Sequence, residues 1–408
     1  MKCRHCSAEL KLPFIDLGSA PPSNAYLSAD KLNQPETWYP LRVLVCESCW
    51  LVQTEDFACF DELFDADYAY FSGFSESWLE HSRKYVADMV ERFGLDVQSH
   101  VMEVAANDGY LLQYVQERGI PCTGIEPTAS TANAARQKGI DIVEAFFGEA
   151  LATDLAKQGR RADLTAANNV LAHVPDINDF VKGFAVILKS DGVATFEFPH
   201  LLNLIENVQF DTIYHEHFSY LSLLAVQSIF RANGLTVFDV EEIPTHGGSL
   251  RVYAQRSDTG VRLKSNNVSV ILEKEREAGL DCRTGYEGFQ QRAEKIKDDL
   301  LAFLIDAKRQ GKNVAAYGAA AKGNTLMNFS GVRPDLIQYV VDRNPAKQGK
   351  FMPGSRIPIV DEVMIRQTKP HYVIILPWNL KDEVMDQLAY ISEWGGRFVV
   401  AVPELTVI

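Results

Sequence analysis

The sequence contains no apolar run of the roughly 18–20 residues that a helix needs to cross a bilayer. Basic residues are also few, since 40 Lys and Arg stand against 54 Asp and Glu and give a net charge of −14. Nucleic-acid and anionic-membrane surfaces need clustered Lys and Arg, so the composition argues against both kinds of partner. A charged-then-apolar leader is missing as well, and we therefore expect a cytoplasmic protein.

Cysteines are scarce apart from two Cys-x-x-Cys pairs, which are Cys3 with Cys6 and Cys46 with Cys49. Each pair can hold a metal ion from a tight turn, and two such turns complete the four-thiolate tetrahedron of structural Zn²⁺. The alternative is four independent free cysteines. Residues 1–60 are interrupted by prolines and hold too few apolar residues for a core of their own, which favours a zinc staple over a disulfide framework.

Beyond residue 100, short apolar runs alternate with helical patterns, the order typical of a parallel sheet with helices on both faces. The predicted strands are 101–104, 122–126, 164–167 and 192–198, followed by two closing strands at 235–241 and 248–254. A long helix with one apolar stripe, 285–309, leads into a second α/β unit with strands at 313–318, 337–341, 372–376 and 398–402. We therefore predict an α/β protein of three domains, 1–65, 66–258 and 259–408.

A run of small and polar residues stands at the predicted turn from the first of these strands into a helix. Backbone N–H groups and a helix N-terminus meet a ligand at such a turn, and small residues let a cofactor come close. Glu126 ends the next strand, where a carboxylate can bind two ribose hydroxyls. This spacing suits both S-adenosylmethionine and NAD, but the glycine fingerprint of a dinucleotide site is absent, which favours S-adenosylmethionine. The candidate cofactor ligands here are Glu103, Ala105, Asn107, Asp108, Gly109 and Glu126.

Two further polar clusters are candidates for chemistry. Asn168, Asn169 and His173 follow the third strand, at the sheet edge where ligands of doubly wound folds bind. We expect the asparagines to bind the methionine part of the cofactor. The segment 214–220 is the densest set of proton-transfer side chains, since imidazole exchanges protons near neutral pH and a phenol can donate to an oxyanion. Metal binding and a purely structural role are the alternatives for this segment.

Taken together, these motifs resemble the three-domain sugar C-methyltransferases of deoxysugar biosynthesis, over essentially the whole chain. The matching segments are the two cysteine pairs, 68–71, 103–109, 168–176, 213–220, 246–251 and 317–324. Ala105 and Ala106 depart from the family, which commonly has a glycine there. The resemblance implies a zinc-binding domain at 1–65, a class I, Rossmann-like methyltransferase domain at 66–258, and a C-terminal Rossmann-like domain at 259–408 that helps to hold a sugar nucleotide.

The resemblance further implies methyl transfer from S-adenosylmethionine to carbon 3 of a dTDP-, GDP- or CDP-linked 4-keto-6-deoxy sugar, through an enolate. It implies a catalytic role for Tyr214, Glu216, His217, His173 and Tyr68, with Tyr70 as the alternative match for Tyr68. We expect His217 to be the base, the tyrosine hydroxyls to lie near the ketone oxygen, and Glu216 to position His217. The candidate substrate ligands are Tyr70, His246, Arg251, Lys322 and Asn324.

Three other functions stay open at this point. One is an O- or N-methyltransferase of a similar sugar, the second is an NAD-dependent oxidoreductase of nucleotide sugars, and the third is a zinc scaffold without activity. We expect a monomer or a small homo-oligomer.

Overall fold

A computed structural model describes residues 1–57, 72–74 and 76–408. Tyr68 and Tyr70 lie outside the described residues, so the roles predicted for them stay predictions. The described residues form three sheets, of four, seven and six strands.

The first sheet joins the N-terminal region to the middle of the chain. Its strands, in the order β1-β2-β3-β9, are β1 (Leu12–Ala20), β2 (Tyr39–Val45), β3 (Val52–Thr54) and β9 (Ser219–Tyr220). Neighbouring strands are antiparallel, and β3 meets β9 with Val52 opposite Tyr220. The sequence analysis did not predict these strands, because Pro13 and Pro40 interrupt the alternation of β1 and β2 and because β9 is only two residues long.

The second sheet has the strand order β6-β5-β4-β7-β8-β11-β10. The strands are β4 (Val101–Val104), β5 (Cys122–Ile125), β6 (Asp141–Val143), β7 (Ala162–Asn168), β8 (Leu188–Pro199), β10 (Leu235–Ile243) and β11 (Ser249–Arg256). Strands β4 to β8 pair in parallel, and β11 runs antiparallel to both β8 and β10. The chain order reverses at β4, which lies between β5 and β7, and a ligand crevice forms at such a switch point.

Helices fill the connections of this second sheet, as the alternating pattern predicts. They are α1 (Glu76–Phe93), α2 (Leu112–Gln116), α3 (Ala129–Gln137), α4 (Glu149–Lys157), α5 (Ile177–Ile187), α6 (Leu201–Glu206) and α7 (Leu223–Ala232). Asp176 caps the N-terminus of α5 by accepting a hydrogen bond from the backbone N–H of Asp179, and Ser222 caps α7 in the same way.

The third sheet has the order β14-β13-β12-β15-β16-β17 and is parallel except for β17. Two helices, α8 (Asn266–Glu277) and α9 (Phe289–Arg309), precede it. Its elements are β12 (Val314–Tyr317), α10 (Ala321–Ser330), β13 (Val340–Val341), β14 (Ile359–Val360), α11 (Val363–Thr368), β15 (Tyr372–Ile375), α12 (Lys381–Gln387), β16 (Arg397–Val400) and β17 (Thr406–Val407). Short 3-10 turns include Leu171–His173, Phe210–Thr212, Thr245–Gly247, Arg283–Tyr286 and Trp378–Leu380.

The apolar stripe of the long helix is confirmed, with one difference. Buried positions recur along α9 at three- and four-residue spacing from Phe289 to Ala307, but the helix begins at Phe289 and not at 285, where a 3-10 turn lies. Phe289 stacks on Phe14 of β1, with ring centroids 4.4 Å apart. One apolar core therefore continues from the first sheet into the third. Among the described residues, no helix combines the length and apolar character that crossing a membrane requires.

Candidate active site

The four cysteines of the two pairs meet at one point. Their sulfur atoms all lie within 4.8 Å of one another, with Cys3 and Cys49 at 3.6 Å and Cys6 and Cys46 at 3.5 Å. A zinc–thiolate tetrahedron with bonds of about 2.3 Å has sulfur–sulfur edges of roughly 3.8 Å, so the four ligands fit Zn²⁺. Because four thiolates close the coordination shell, the site is structural and leaves no position for a substrate.

The surroundings of this cluster show which neighbours belong to it. Gln53 of β3 donates its side-chain amide to the Cys3 sulfur at 3.3 Å and accepts a hydrogen bond from the Arg4 backbone at 2.9 Å. His5 lies within the first cysteine pair, but its imidazole bonds with Asn178 and Ser228 of the middle domain. His5 is therefore a docking residue and not a metal ligand.

The predicted cofactor turn follows β4 in a constrained backbone conformation. Ala105, Asn107 and Gly109 have φ angles of 59°, 49° and 75°, in the left-handed region. A Cβ atom at Gly109 would collide with the Ile140 side chain, so glycine is required there. The turn thus presents its backbone towards the carboxyl edge of the sheet, as a cofactor-binding loop does.

Polar atoms without partners collect at the same edge. Both side-chain atoms of Asn168, the last residue of β7, lack a hydrogen-bond partner among the described residues, as do Oδ1 of Asn169 and Oδ1 of Asp108. Buried polar groups are nearly always paired, so these atoms fit the amino and carboxylate groups of a bound amino-acid moiety. Glu103 is fully buried beside them, and burial raises the pKa of its carboxyl well above the usual range.

Glu126 lies at the end of β5, as predicted, but its carboxylate already holds the cofactor turn in place. One oxygen accepts the backbone N–H of Asn107 at 2.9 Å, and the other accepts from the Thr128 backbone and the Thr131 hydroxyl at 2.9 and 3.0 Å. A carboxylate has about four acceptor positions, so roughly one remains. In this arrangement the Glu126 carboxylate can accept a hydrogen bond from about one ribose hydroxyl, whereas two were predicted.

The segment 214–218 brings three of the predicted catalytic side chains together. The rings of Tyr214 and His217 lie 3.9 Å apart and those of His173 and His217 4.6 Å apart, measured between centroids. Nδ1 of His217 lies 2.8 Å from the carbonyl oxygen of Thr212, and Nδ1 of His173 lies 2.8 Å from that of Glu216. A carbonyl only accepts, so in the neutral form both rings carry their proton on Nδ1 and leave Nε2 as a lone-pair acceptor.

Burial keeps these imidazoles neutral. It lowers the pKa of His173 to about 4 and that of His217 well below the ordinary range. The His217 pKa is lowered further by His173, His246 and the positive charge of Lys322. A neutral imidazole with its Nε2 lone pair available is the form that accepts a proton.

The expectation that Glu216 positions His217 is corrected by this geometry. The Thr212 carbonyl holds the imidazole, whereas the Glu216 carboxylate accepts a hydrogen bond from the Asn24 amide at 3.1 Å. Burial raises the pKa of the Glu216 carboxyl to about 6. The Glu216 carboxylate therefore connects the segment to the N-terminal domain, and the hydrogen bonds described for it do not include one to the His217 ring.

His246 and Arg251 occupy different environments. His246 is half-buried, lies 3.2 Å from the Asn169 amide and packs against Trp78, close enough to the site to affect the His217 pKa. Arg251 instead bonds the fully buried Glu197 at 2.7 Å. A buried carboxylate thus holds the Nε side of the guanidinium, and the role of Arg251 as a substrate ligand stays a prediction.

Lys322 and Asn324 lie in the first turn of α10, and they too occupy different environments. The Lys322 ammonium donates to the Asn379 side chain at 2.6 Å, lies over the Trp378 ring, and its charge lowers the pKa of both His217 and His246. Asn324 is fully buried and donates to the Ser23 carbonyl at 2.7 Å. The amide nitrogen of Asn324 therefore links two domains, while its Oδ1 has no hydrogen-bond partner among the described residues, and the substrate contacts of Asn324 and Lys322 stay predictions.

Comparison with known proteins agrees with this arrangement. Three family descriptions match the chain: a zinc binding domain over residues 3–64, a methyltransferase domain over residues 78–240, and a C-methyltransferase C-terminal domain over residues 244–403. The chain is thus a methyltransferase with a zinc-binding domain. The relative C-methyltransferase NovU of Streptomyces niveus is 34% identical over 407 residues, covering 100% of this chain and 96% of that protein. The chain belongs to this C-methyltransferase family, whose methyl donor is S-adenosylmethionine.

Solved structures overlap with parts of the chain. A 1,6-didemethyltoxoflavin-N1-methyltransferase of Burkholderia thailandensis is 17% identical with a TM-score of 0.37, and covers 51% of this chain and 96% of that one. Magnesium protoporphyrin IX methyltransferase of Synechocystis is 16% identical with a TM-score of 0.34, and covers 44% of this chain and 79% of that one.

The sequence analysis missed several residues that shape the site. Thr212 acts through its carbonyl group, which no side-chain motif can reveal. Asn24 and Thr54 reach the segment 214–218 from the N-terminal domain, and Trp378 of the C-terminal domain bonds Asp211, which precedes that segment. Pairing over such sequence distances leaves no local signal.

Proposed function

We propose that the protein methylates carbon 3 of a nucleotide-linked 4-keto-6-deoxy sugar, in the cytoplasm. The observation that supports this most directly is the pair His217 and Tyr214, a neutral imidazole with its Nε2 available beside a phenol. Carbon methylation needs a carbon nucleophile, and a base next to a ketone can produce one. One base and one hydroxyl donor are enough to form an enolate, which is the carbon nucleophile. Methylation of a hydroxyl group, by contrast, needs no enolate.

S-adenosylmethionine, when bound, supplies an electrophilic methyl group. The turn 105–109, Glu126 and the unpaired amide of Asn168 would hold it at the carboxyl edge of the sheet. The contact of His173 with His217, whose ring centroids lie 4.6 Å apart, supports a position of this edge close to the segment 214–218.

The chain's own residues then carry the proton transfer. Nε2 of His217 accepts the proton from the carbon beside the ketone, while the Thr212 carbonyl keeps the opposite nitrogen protonated. The C–H bond breaks, an N–H bond forms, and the electron pair moves onto the ketone as an enolate. We assign to the Tyr214 hydroxyl the donation of a hydrogen bond to that oxygen. The same role is predicted for Tyr68, which lies outside the described residues. Lys322 faces the same site and would attract the diphosphate of the nucleotide.

The first test of this proposal is a reaction of purified protein with S-adenosylmethionine and dTDP-, GDP- or CDP-linked 4-keto-6-deoxy sugars, with NMR analysis of the product. We expect a new methyl group on carbon 3. Both carbons beside a C-4 ketone are acidic, so methylation at carbon 5 would keep the enolate chemistry but contradict the proposed position. Methylation of a hydroxyl or amino group would contradict the function itself.

A second experiment isolates the proton transfer. With S-adenosylhomocysteine in place of the donor, the wild type should exchange the proton beside the ketone for solvent deuterium. His217→Asn should lose both exchange and methylation by about 10²–10⁴-fold, because it removes the general base. His371→Asn, at an exposed histidine of the third sheet, is the matched control. Normal exchange in His217→Asn would assign proton removal to another group.

A further inference from the structure

The catalytic segment is bonded to the N-terminal domain at successive residues. Nε2 of His215 lies 3.3 and 3.2 Å from the carbonyl oxygens of Tyr39 and Pro40 in β2. The Glu216 carboxylate accepts the Asn24 amide at 3.1 Å. The domain that carries the cysteine cluster therefore reaches into the active site.

Thr54, the last residue of β3, makes the contact closest to the proposed base. Its hydroxyl donates to the carbonyl oxygen of His217 at 2.5 Å, and its backbone N–H donates to that of Phe218 at 3.1 Å. The pairing of β3 with β9 continues this contact directly after the segment. Thr54 is only 2% exposed, so water does not compete for these bonds.

The other end of β3 is tied to the metal cluster. Cys49 stands three residues before the strand, and Gln53 within it donates to the Cys3 sulfur. A metal ion held by the four cysteines would fix the beginning of β3, whose last residue, Thr54, bonds the backbone of His217.

We propose that Thr54 is a positioning residue for His217, and that through it the zinc-binding domain sets the orientation of the catalytic imidazole. Thr54 holds the His217 backbone and the Thr212 carbonyl holds the ring, so two restraints together fix the direction of Nε2. This inference rests on the proposed role of His217, but the orientation itself is measurable without a substrate.

The test compares Thr54→Val with Thr54→Ser in the zinc-loaded full chain. The valine variant keeps the shape and loses the donor, while the serine variant keeps the donor. The first readout is NMR of ¹⁵N-histidine-labelled protein, in which the His217 signals are those missing from His217→Asn. In Thr54→Val we expect the Nδ1-bound proton of His217 to exchange faster with solvent. Thr54→Ser should restore the wild-type rate.

The second readout is kinetic. The kcat of methyl transfer should fall in Thr54→Val by up to about 100-fold, the loss that a shift of about 1 Å can cause. The affinity for S-adenosylhomocysteine and the zinc content should not change. Thr195→Val is the matched control, because Thr195 is also a buried strand threonine that donates to a backbone carbonyl, at 3.2 Å. It should lose stability while its kcat stays normal.

The outcomes separate the two proposals. If the Nδ1-bound proton of His217 exchanges with solvent at the wild-type rate in Thr54→Val, the proposed role of Thr54 is wrong, whatever the substrate is. An equal fall of kcat in Thr195→Val overturns it too, since general destabilisation would explain both. Wild-type protein that methylates no keto sugar contradicts the proposed function and leaves the NMR result to decide on Thr54. If Thr54→Val does not fold, Thr54→Ala takes its place.

Discussion

At the scale of single residues, the cofactor turn contains a conformation that its sequence tolerates poorly. Ala105 has a φ of 59°, in the left-handed region that favours glycine. A left-handed conformation costs a residue with a Cβ atom roughly 1–2 kcal/mol, which is why asparagine, as at Asn107, or glycine is usual there. The turn therefore holds Ala105 in an unfavourable backbone conformation.

We predict that Ala105→Gly raises the free energy of unfolding by about 0.5–1 kcal/mol, since the relief of strain exceeds the entropy cost of glycine. Ala106→Gly is the control. Ala106 is buried without a positive φ, so its replacement should lower stability. Urea denaturation measures both. Loss of stability in Ala105→Gly would show that the alanine methyl group makes a compensating contact.

The lowered pKa of His217 predicts the pH dependence of activity. An imidazole is a base only above its pKa, and burial together with nearby positive charge moves this pKa well below its ordinary value. We therefore expect kcat/KM to show no loss from imidazole protonation between about pH 8 and pH 6, although an ordinary histidine titrates near 6.5. A fall of kcat/KM centred at the ordinary value would mean that His217 is exposed to solvent in the working enzyme.

The residues of the candidate site could be predicted from the sequence better than the groups that they contact. The spacing of polar residues identified His173 and His217, which the structure places side by side. The bond between Arg251 and Glu197 could not be predicted, because Glu197 lies 54 residues away on a neighbouring strand. Contacts of this kind follow from strand order, which a local pattern does not contain.

At the scale of elements, apolar runs predicted ten of the thirteen strands described in the second and third sheets, because buried parallel strands are continuously apolar. The strands β6, β14 and β17 were not predicted, because each has only two or three residues. The strand β4 has the predicted bounds, 101–104. The first sheet could not be predicted, since β3 has only three residues and is completed by β9 from the middle of the chain. We expect its stability to depend on a metal ion bound by the four cysteines, because Cys46 and Cys49 lie in the turn between β2 and β3.

We predict that the purified protein contains about one zinc ion per chain and that Cys46→Ser loses it. Without the ion, β2 and β3 should show faster amide hydrogen exchange, because the turn that joins them is no longer held. Cys282→Ser, at an exposed cysteine outside the cluster, should keep its zinc. Metal analysis and hydrogen-exchange mass spectrometry measure both effects. Absence of zinc from wild-type protein prepared without chelators would contradict this prediction.

At the scale of the whole molecule, the active site is assembled from all three domains. The N-terminal domain supplies the contact of Thr54, and the middle domain supplies His217. The C-terminal domain adds Trp378, whose indole N–H donates to the buried Asp211 carboxylate at 2.7 Å, one residue before Thr212. Burial raises the pKa of Asp211 to about 6, and the charge of Lys322 opposes this shift.

The last prediction concerns Lys322, which brings a positive charge from the C-terminal domain to the site. If it attracts the diphosphate, Lys322→Met should raise the KM for the sugar nucleotide by about 10–100-fold, the loss of one charge-assisted hydrogen bond. Affinity for S-adenosylhomocysteine should stay unchanged. Removal of the charge should also raise the pKa of His217, because Lys322 lowers it. The fall of kcat/KM at low pH, which marks protonation of His217, should therefore occur at higher pH than in the wild type.

Lys312→Met is the matched control, since Lys312 also bonds an aromatic residue of the third sheet, the Tyr372 hydroxyl at 3.0 Å. It should change neither KM nor the pH profile. Steady-state kinetics across pH and calorimetry with S-adenosylhomocysteine give the three readouts. A variant that loses S-adenosylhomocysteine affinity but keeps a normal KM would place Lys322 at the cofactor and not at the nucleotide. If KM rises but the pH at which kcat/KM falls does not change, Lys322 binds the substrate and its charge does not affect the pKa of His217.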